Sequence, residues 1–128
     1  MAGQTPPFPE AFRRIELVLA REPGRPTGDA EHRFTLIAPL TPEGRLDAEV
    51  WRANKERCRV VRVRGAEAHK VGRLIHAAGD KWAVRYEEDG DMDAGYRLGE
   101  ERFIQGEYVS IEEDDGMHTF WVSSVRPL

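Results

Sequence analysis

Val71-Gly72-Arg73-Leu74-Ile75-His76-Ala77 and Lys81-Trp82-Ala83-Val84-Arg85-Tyr86-Glu87, separated by Ala78-Gly79-Asp80, decide the fold. The second run places Trp82, Val84 and Tyr86 on one face and charged residues on the other, the period of a strand with one buried side. A short, Gly-containing connection between two such runs predicts a β-hairpin with Leu74, Trp82, Val84 and Tyr86 in the core. The unit recurs downstream. Glu107–Glu112, with Val109 and Ile111 inward, and His118–Val125, with Phe120 and Val122 inward, flank the turn Asp114-Asp115-Gly116.

Upstream, Arg14–Arg21 alternates Ile15, Leu17 and Leu19 against Arg14, Glu16 and Val18, and His32–Ala38 carries Phe34, Leu36 and Ala38 on one face. Pro39 ends that strand by removing a ladder donor. The Pro- and Gly-rich stretch Glu22–Gly28 makes the connection a long loop. Thr41-Pro42-Glu43-Gly44 fits a type I turn. The period then changes: Asp47 is placed to cap a short helix through Ala48–Lys55, with Leu46, Val50 and Ala53 near one stripe and Trp51 widening it.

The next run, Arg57-Cys58-Arg59-Val60-Val61-Arg62-Val63-Arg64, returns to strand composition but breaks its own alternation at the paired valines. A bulge near Val60 would keep Cys58, Val60, Val61 and Val63 inward and the arginines outward. Glu88–Glu101 predicts a long acidic loop. About seven strands and one short helix, with turns at antiparallel spacing, imply a mainly β fold. The expectation is a small, strongly bent antiparallel sheet or SH3-like barrel, with a two-layer α+β sheet as the alternative.

The 128 residues suit one domain, drawn as a proline-rich flexible arm over 1–10 and a single β-rich domain over 11–128. With 40% hydrophobic residues the chain has material for a core, which excludes disorder throughout. There is no apolar run of about eighteen residues, and the first residues lack the basic start and apolar centre of a signal peptide. With a single cysteine, Cys58, a cytoplasmic protein with no membrane segment is expected.

The net charge of -4 is unevenly spread. Residues 52–73 hold eight basic groups against two acidic ones, whereas 74–101 hold three against eight. The simpler reading is that the two blocks face each other across a sheet and neutralise.

Several constellations bear on chemistry. Asp89, Asp91, Asp93 and Glu100 stand at positions 1, 3, 5 and 12 of an EF-hand-like spacing, but Ala94 holds the place where the turn needs Gly. Weak Ca²⁺ binding at most is expected, and no other cofactor is implied. His32, His69, His76 and His118 form no zinc signature; His76 and His118 would join Cys58 as ligands only if their strands were neighbours. Cys58 as a nucleophile needs a lowered thiol pKa, and its inward position opposes that.

The arginines Arg57, Arg59, Arg62 and Arg64 could serve anions, with nucleic acid disfavoured by the acidic total. Thr119, Trp121 and Ser123 form the outward face of the last strand, and an exposed Trp there invites a protein partner or a second copy. The expected function is therefore a non-catalytic binding or structural module acting through protein–protein contacts. The alternatives are a nucleic-acid-binding barrel using Arg57–Arg64, and a small-molecule or metal-dependent enzyme.

Gly72, Leu74, His76, Trp82, Tyr86, Gly95-Tyr96-Arg97-Leu98-Gly99, Phe103, Gly106–Ile111 and His118-Thr119-Phe120, with Pro39-Leu40, Asp47, Trp51 and Cys58 upstream, resemble a group of short bacterial proteins of unknown function. The resemblance spans most of the chain. It implies a free-standing bacterial protein and brings no activity, cofactor or catalytic residue.

Overall fold

The computed structural model describes residues 8–21, 28–77, 81–88, 92–95 and 101–128. Eight strands appear among them: β1 (Phe12–Leu19), β2 (Asp29–Pro39), β3 (Arg59–Arg64), β4 (Lys70–Ala77), β5 (Lys81–Tyr86), β6 (Met92–Gly95), β7 (Tyr108–Glu113) and β8 (Gly116–Pro127). Each pairs antiparallel with its neighbour in sequence, and β8 returns to pair with β1, so the sheet closes into a barrel. Closure follows from period 2. Each strand sends alternate residues to one side, and twisting the sheet onto itself buries those sides against one another.

The core is the set of inward positions that the alternation picks out, among them Ile15, Leu17, Phe34, Leu36, Leu74, Val84, Val109, Ile111, Phe120 and Val122. Phe120 stacks edge-on against Phe34, with ring centroids 5.2 Å apart. Both predicted hairpins are present, β4–β5 and β7–β8, with registers running from Gly72↔Tyr86 to Ala77↔Lys81 and from Tyr108↔Trp121 to Glu113↔Gly116.

A helix, α1 (Ala48–Ala53), follows β2, and Asp47 caps it by accepting from the Val50 N–H at 3.1 Å. It stops two residues short of Lys55. Asn54 ends it with its side chain on the Val50 carbonyl, and Lys55–Arg57 continue as a single 3-10 turn. Its Trp51 donates its indole N–H to the Leu74 carbonyl at 3.0 Å and meets Trp82 and His76 edge to face, an aromatic plug for this end of the barrel.

Two expectations are corrected. No bulge interrupts β3: the pairing with β2 runs unbroken from Ile37↔Arg59 to His32↔Arg64. Strict alternation therefore sends Cys58, Val60 and Arg62 inward and leaves Val61 and Val63 on the other face, so Arg62 is a buried arginine rather than an outward one. The acidic loop is also not wholly a loop. Four of its residues form β6, which pairs with β5 and, through Ala94↔Glu112, with β7.

Gly72 shows how closely β4 and β5 approach. A Cβ there would lie 2.6 Å from the Arg85 carbonyl oxygen and 3.1 Å from the Tyr86 ring.

Because Phe120 is fully buried between β1 and β7, Phe120→Ala should cost about 3–5 kcal/mol in urea-induced unfolding. A loss near that of a surface substitution, within about 0.5 kcal/mol, would contradict its place in the core.

Candidate functional site

At the end away from α1, the inward stripe of several strands finishes in a polar residue. Continuing Ala38, Leu36 and Phe34 by one step gives His32; Cys58 and Val60 lead to Arg62; Val109 and Ile111 to Glu113; Val122 and Phe120 to His118. Asp93 on β6 joins them. His32, Arg62, Asp93 and Glu113 are all buried, and charges placed there require partners.

They have them. The Arg62 guanidinium donates to Asp93 Oδ2 at 3.1 Å, lies 3.8 Å from Glu113 Oε1 and stands over the Tyr86 ring, 4.9 Å from its centroid. The Tyr86 hydroxyl donates to the same Asp93 oxygen. Burial raises the Asp93 carboxyl above its ordinary range, opposed by the Tyr86 hydrogen bond and Arg62, and burial also raises the Tyr86 phenol. His32 Nε2 lies 2.7 Å from Glu113 Oε2, and the His32 and His118 rings stand edge to face at 5.3 Å. His118 Nε2 is 2.8 Å from Asp115 Oδ1 and 3.8 Å from Glu113 Oε2.

A rim surrounds these groups. Arg64 donates to Asp114 at 2.8 Å and to Glu67 at 2.9 Å, and its guanidinium holds the Asp114 carboxyl down at about 2. Asp29, His32, Arg64, Glu67, Asp114, Asp115 and His118 line a cavity of about 660 Å³ that opens to solvent. Among the described residues, Glu113, Asp115 and His118 are the His, Cys and carboxylate side chains that gather closely enough to share an ion.

The residues singled out in the sequence are distributed differently. Asp89, Asp91 and Glu100 of the EF-hand-like spacing lie outside the described residues; Asp93 faces the barrel interior, bound to Arg62 and Tyr86, and is not a loop ligand. Cys58 is buried with its thiol directed at the Asn54 carbonyl, 3.6 Å away, and burial pushes the thiol pKa up to about 12. A thiol so placed stays protonated at neutral pH. His76 stacks on Trp82 at 4.2 Å beside Trp51, at the plugged end, and so does not meet His118.

Of the arginines, Arg57 lies over the Phe8 ring at 4.0 Å, Arg59 donates to Glu87 at 2.8 Å, and Arg62 and Arg64 are held by the carboxylates named above. The basic block does meet the acidic half. On β8, Thr119 and Trp121 are exposed, while the Ser123 hydroxyl donates to the Glu16 carbonyl, next to the irregularity between Glu16 and Leu17 in the β1–β8 ladder. β8 is paired on both sides and is not an edge strand.

Sequence reasoning did not single out Glu113, weighed His32 only as a metal ligand and turned Arg62 outward as an anion site, yet each sits one alternation step beyond a recognised core residue. That step was the available signal.

Removing Asp93 leaves the Arg62 charge buried. Asp93→Ala should therefore destabilise by about 3–5 kcal/mol, and the double variant Arg62→Met/Asp93→Ala by much less than the sum of the single ones. Additive losses in urea unfolding would show that the pair is not coupled.

Asp114 gives a pH test. Its folded-state pKa lies below the ordinary 3.8, so the stability it contributes is present above that pH and is lost as pH falls towards about 2. The stability gap between parent and Asp114→Asn should close over that window. The side chain is largely exposed, so the gap should stay under about 1 kcal/mol and shrink in salt.

No family model, curated protein or solved structure matches this chain.

Proposed function

We propose that the protein is a small, non-catalytic binding module of the bacterial cytoplasm that works through protein–protein contacts, with a second copy of the chain as its first partner. The observation that carries this reading is a pair of aromatic side chains, Tyr108 and Trp121, directly opposite each other on β7 and β8 and 61% and 38% exposed. Together with Leu19, Ala20, Arg21 and Thr119 they line a shallow depression of about 480 Å³. Large exposed rings side by side favour association, since an interface gains most from aromatic anchors. Nothing among the described residues of the arm or helix covers them, because Phe8 lies against Phe12 and Trp51 against Trp82.

The closed ladder narrows the mode of contact. A barrel without an edge offers no backbone for strand addition, so an SH3-like barrel of this kind would bind by side chains on its outer face. The single buried thiol suits a reducing compartment and gives no support to nucleophilic catalysis. The nucleic-acid alternative is weakened by the arginines, since Arg59, Arg62 and Arg64 are each bonded to a carboxylate.

Sedimentation equilibrium of the parent and of Trp121→Glu over a range of concentrations tests the proposal. The parent should show a concentration-dependent dimer that the variant lacks. A parent that stays monomeric at high concentration would defeat the self-association reading.

A further inference from the structure

The barrel mouth carries more than the proposed contact surface requires. We infer that it is a site for a divalent transition-metal ion of the zinc or cobalt type, with Glu113, Asp115 and His118 as ligands and His32 orienting Glu113 from behind.

The first support is geometric. One ligand atom from each of Glu113, Asp115 and His118 lies within 4.8 Å of the other two. Ligand atoms about 2.0–2.1 Å from a tetrahedral zinc stand roughly 3.3 Å apart. His118 Nε2 is 2.8 Å from Asp115 Oδ1 and 3.8 Å from Glu113 Oε2, on either side of that value. Small side-chain rotations would bring the three atoms onto one ion.

The second support is independent of the cluster. Glu113 is a fully buried carboxylate, yet its Oε1 makes no hydrogen bond. Burying a carboxylate oxygen is costly unless something answers it, and Oε1 has two guanidiniums nearby but no hydrogen bond, while Oε2 of the same carboxylate faces His118. His32 Nε2, 2.7 Å from Oε2, fixes that carboxylate in the way outer groups commonly hold metal-binding residues.

Charge is the obvious objection, because Arg62 and Arg64 stand 3.8 and 3.7 Å from Oε1. Each is already matched: Arg62 by Asp93, Arg64 by Asp114 and Glu67. With Asp93, Asp114, Glu67, Glu113 and Asp115 the mouth holds five carboxylates around these two guanidiniums, so negative charge remains for a cation. The donor set selects its class. An imidazole with two carboxylates suits zinc, cobalt or nickel, whereas Ca²⁺ seeks six to eight oxygens. Asp115 is exposed and the cavity opens to solvent, so an ion has an entry path and water would complete its coordination.

The experiment uses the full chain stripped of metal with a chelator. Co²⁺ is titrated by visible absorption and Zn²⁺ by calorimetry, each followed by a thermal melt. One equivalent should bind in the micromolar range or tighter and raise the melting temperature, reversibly with chelator. His118→Asn, checked to melt cooperatively without metal, should weaken binding at least tenfold and abolish the thermal shift. Glu113→Gln should do the same if it folds, and His76→Asn, at the plugged end, should leave binding unchanged. No binding up to about 1 mM metal, or binding in His118→Asn equal to the parent, would overturn the assignment.

Discussion

A guanidinium inside a barrel has to be answered by carboxylates from other strands, and Arg62 is answered from two: Asp93 on β6 and Glu113 on β7. Among the described residues those two strands are joined by a single residue pair, Ala94↔Glu112. The ion pairs thus cross the seam between β6 and β7 and tie both of its sides to β3. Their net contribution to stability is small, because desolvation offsets most of the attraction. Their contribution to register is large. Slipping β3 by one residue would turn Arg62 out and drive a valine towards Asp93 and Glu113, leaving two carboxylates buried without a cation.

The barrel is consequently two-ended. At one end α1 seats Trp51 against Trp82 and His76, an edge-to-face and stacked aromatic group. At the other the inward positions are ionic and buried, beneath a cavity that opens onto solvent. The same alternation builds both, since an inward slot near the rim is held by its strand as firmly as one at the centre. A rigid ladder can therefore position a polar group as accurately as a hydrophobic one.

The hairpins were legible because their apolar residues sat at period 2 between clear turn signals. Leu74, Trp82, Val84, Tyr86, Val109, Ile111, Phe120 and Val122 all face inward as the pattern required. The strand β6 was not legible. Met92-Asp93-Ala94-Gly95 has no β-branched residue, and its inward slot holds an aspartate whose partner, Arg62, lies thirty-one positions away in sequence. Arg62 was misplaced for the same reason. Without knowledge of Asp93 and Glu113, turning an arginine outward and bending the strand at Val60 was the lower-energy choice. The rim site was hidden by a habit of the pattern itself, which stops counting a face once its residues cease to be apolar.

The pairing of β8 with β1 sets Arg13 beside Pro127, so the first and last strands of the barrel are neighbours. A ladder in which each strand neighbours its sequence successor, and the last neighbours the first, is a ring in sequence as well as in space. Its folding must leave the most distant pairing, β1 with β8, until the intervening strands have brought the ends together, because closing that loop outright costs the most chain entropy. The order of strands has no privileged starting point. A chain in which β8 ran on into β1 and which opened at another turn would preserve every neighbour relation in the barrel.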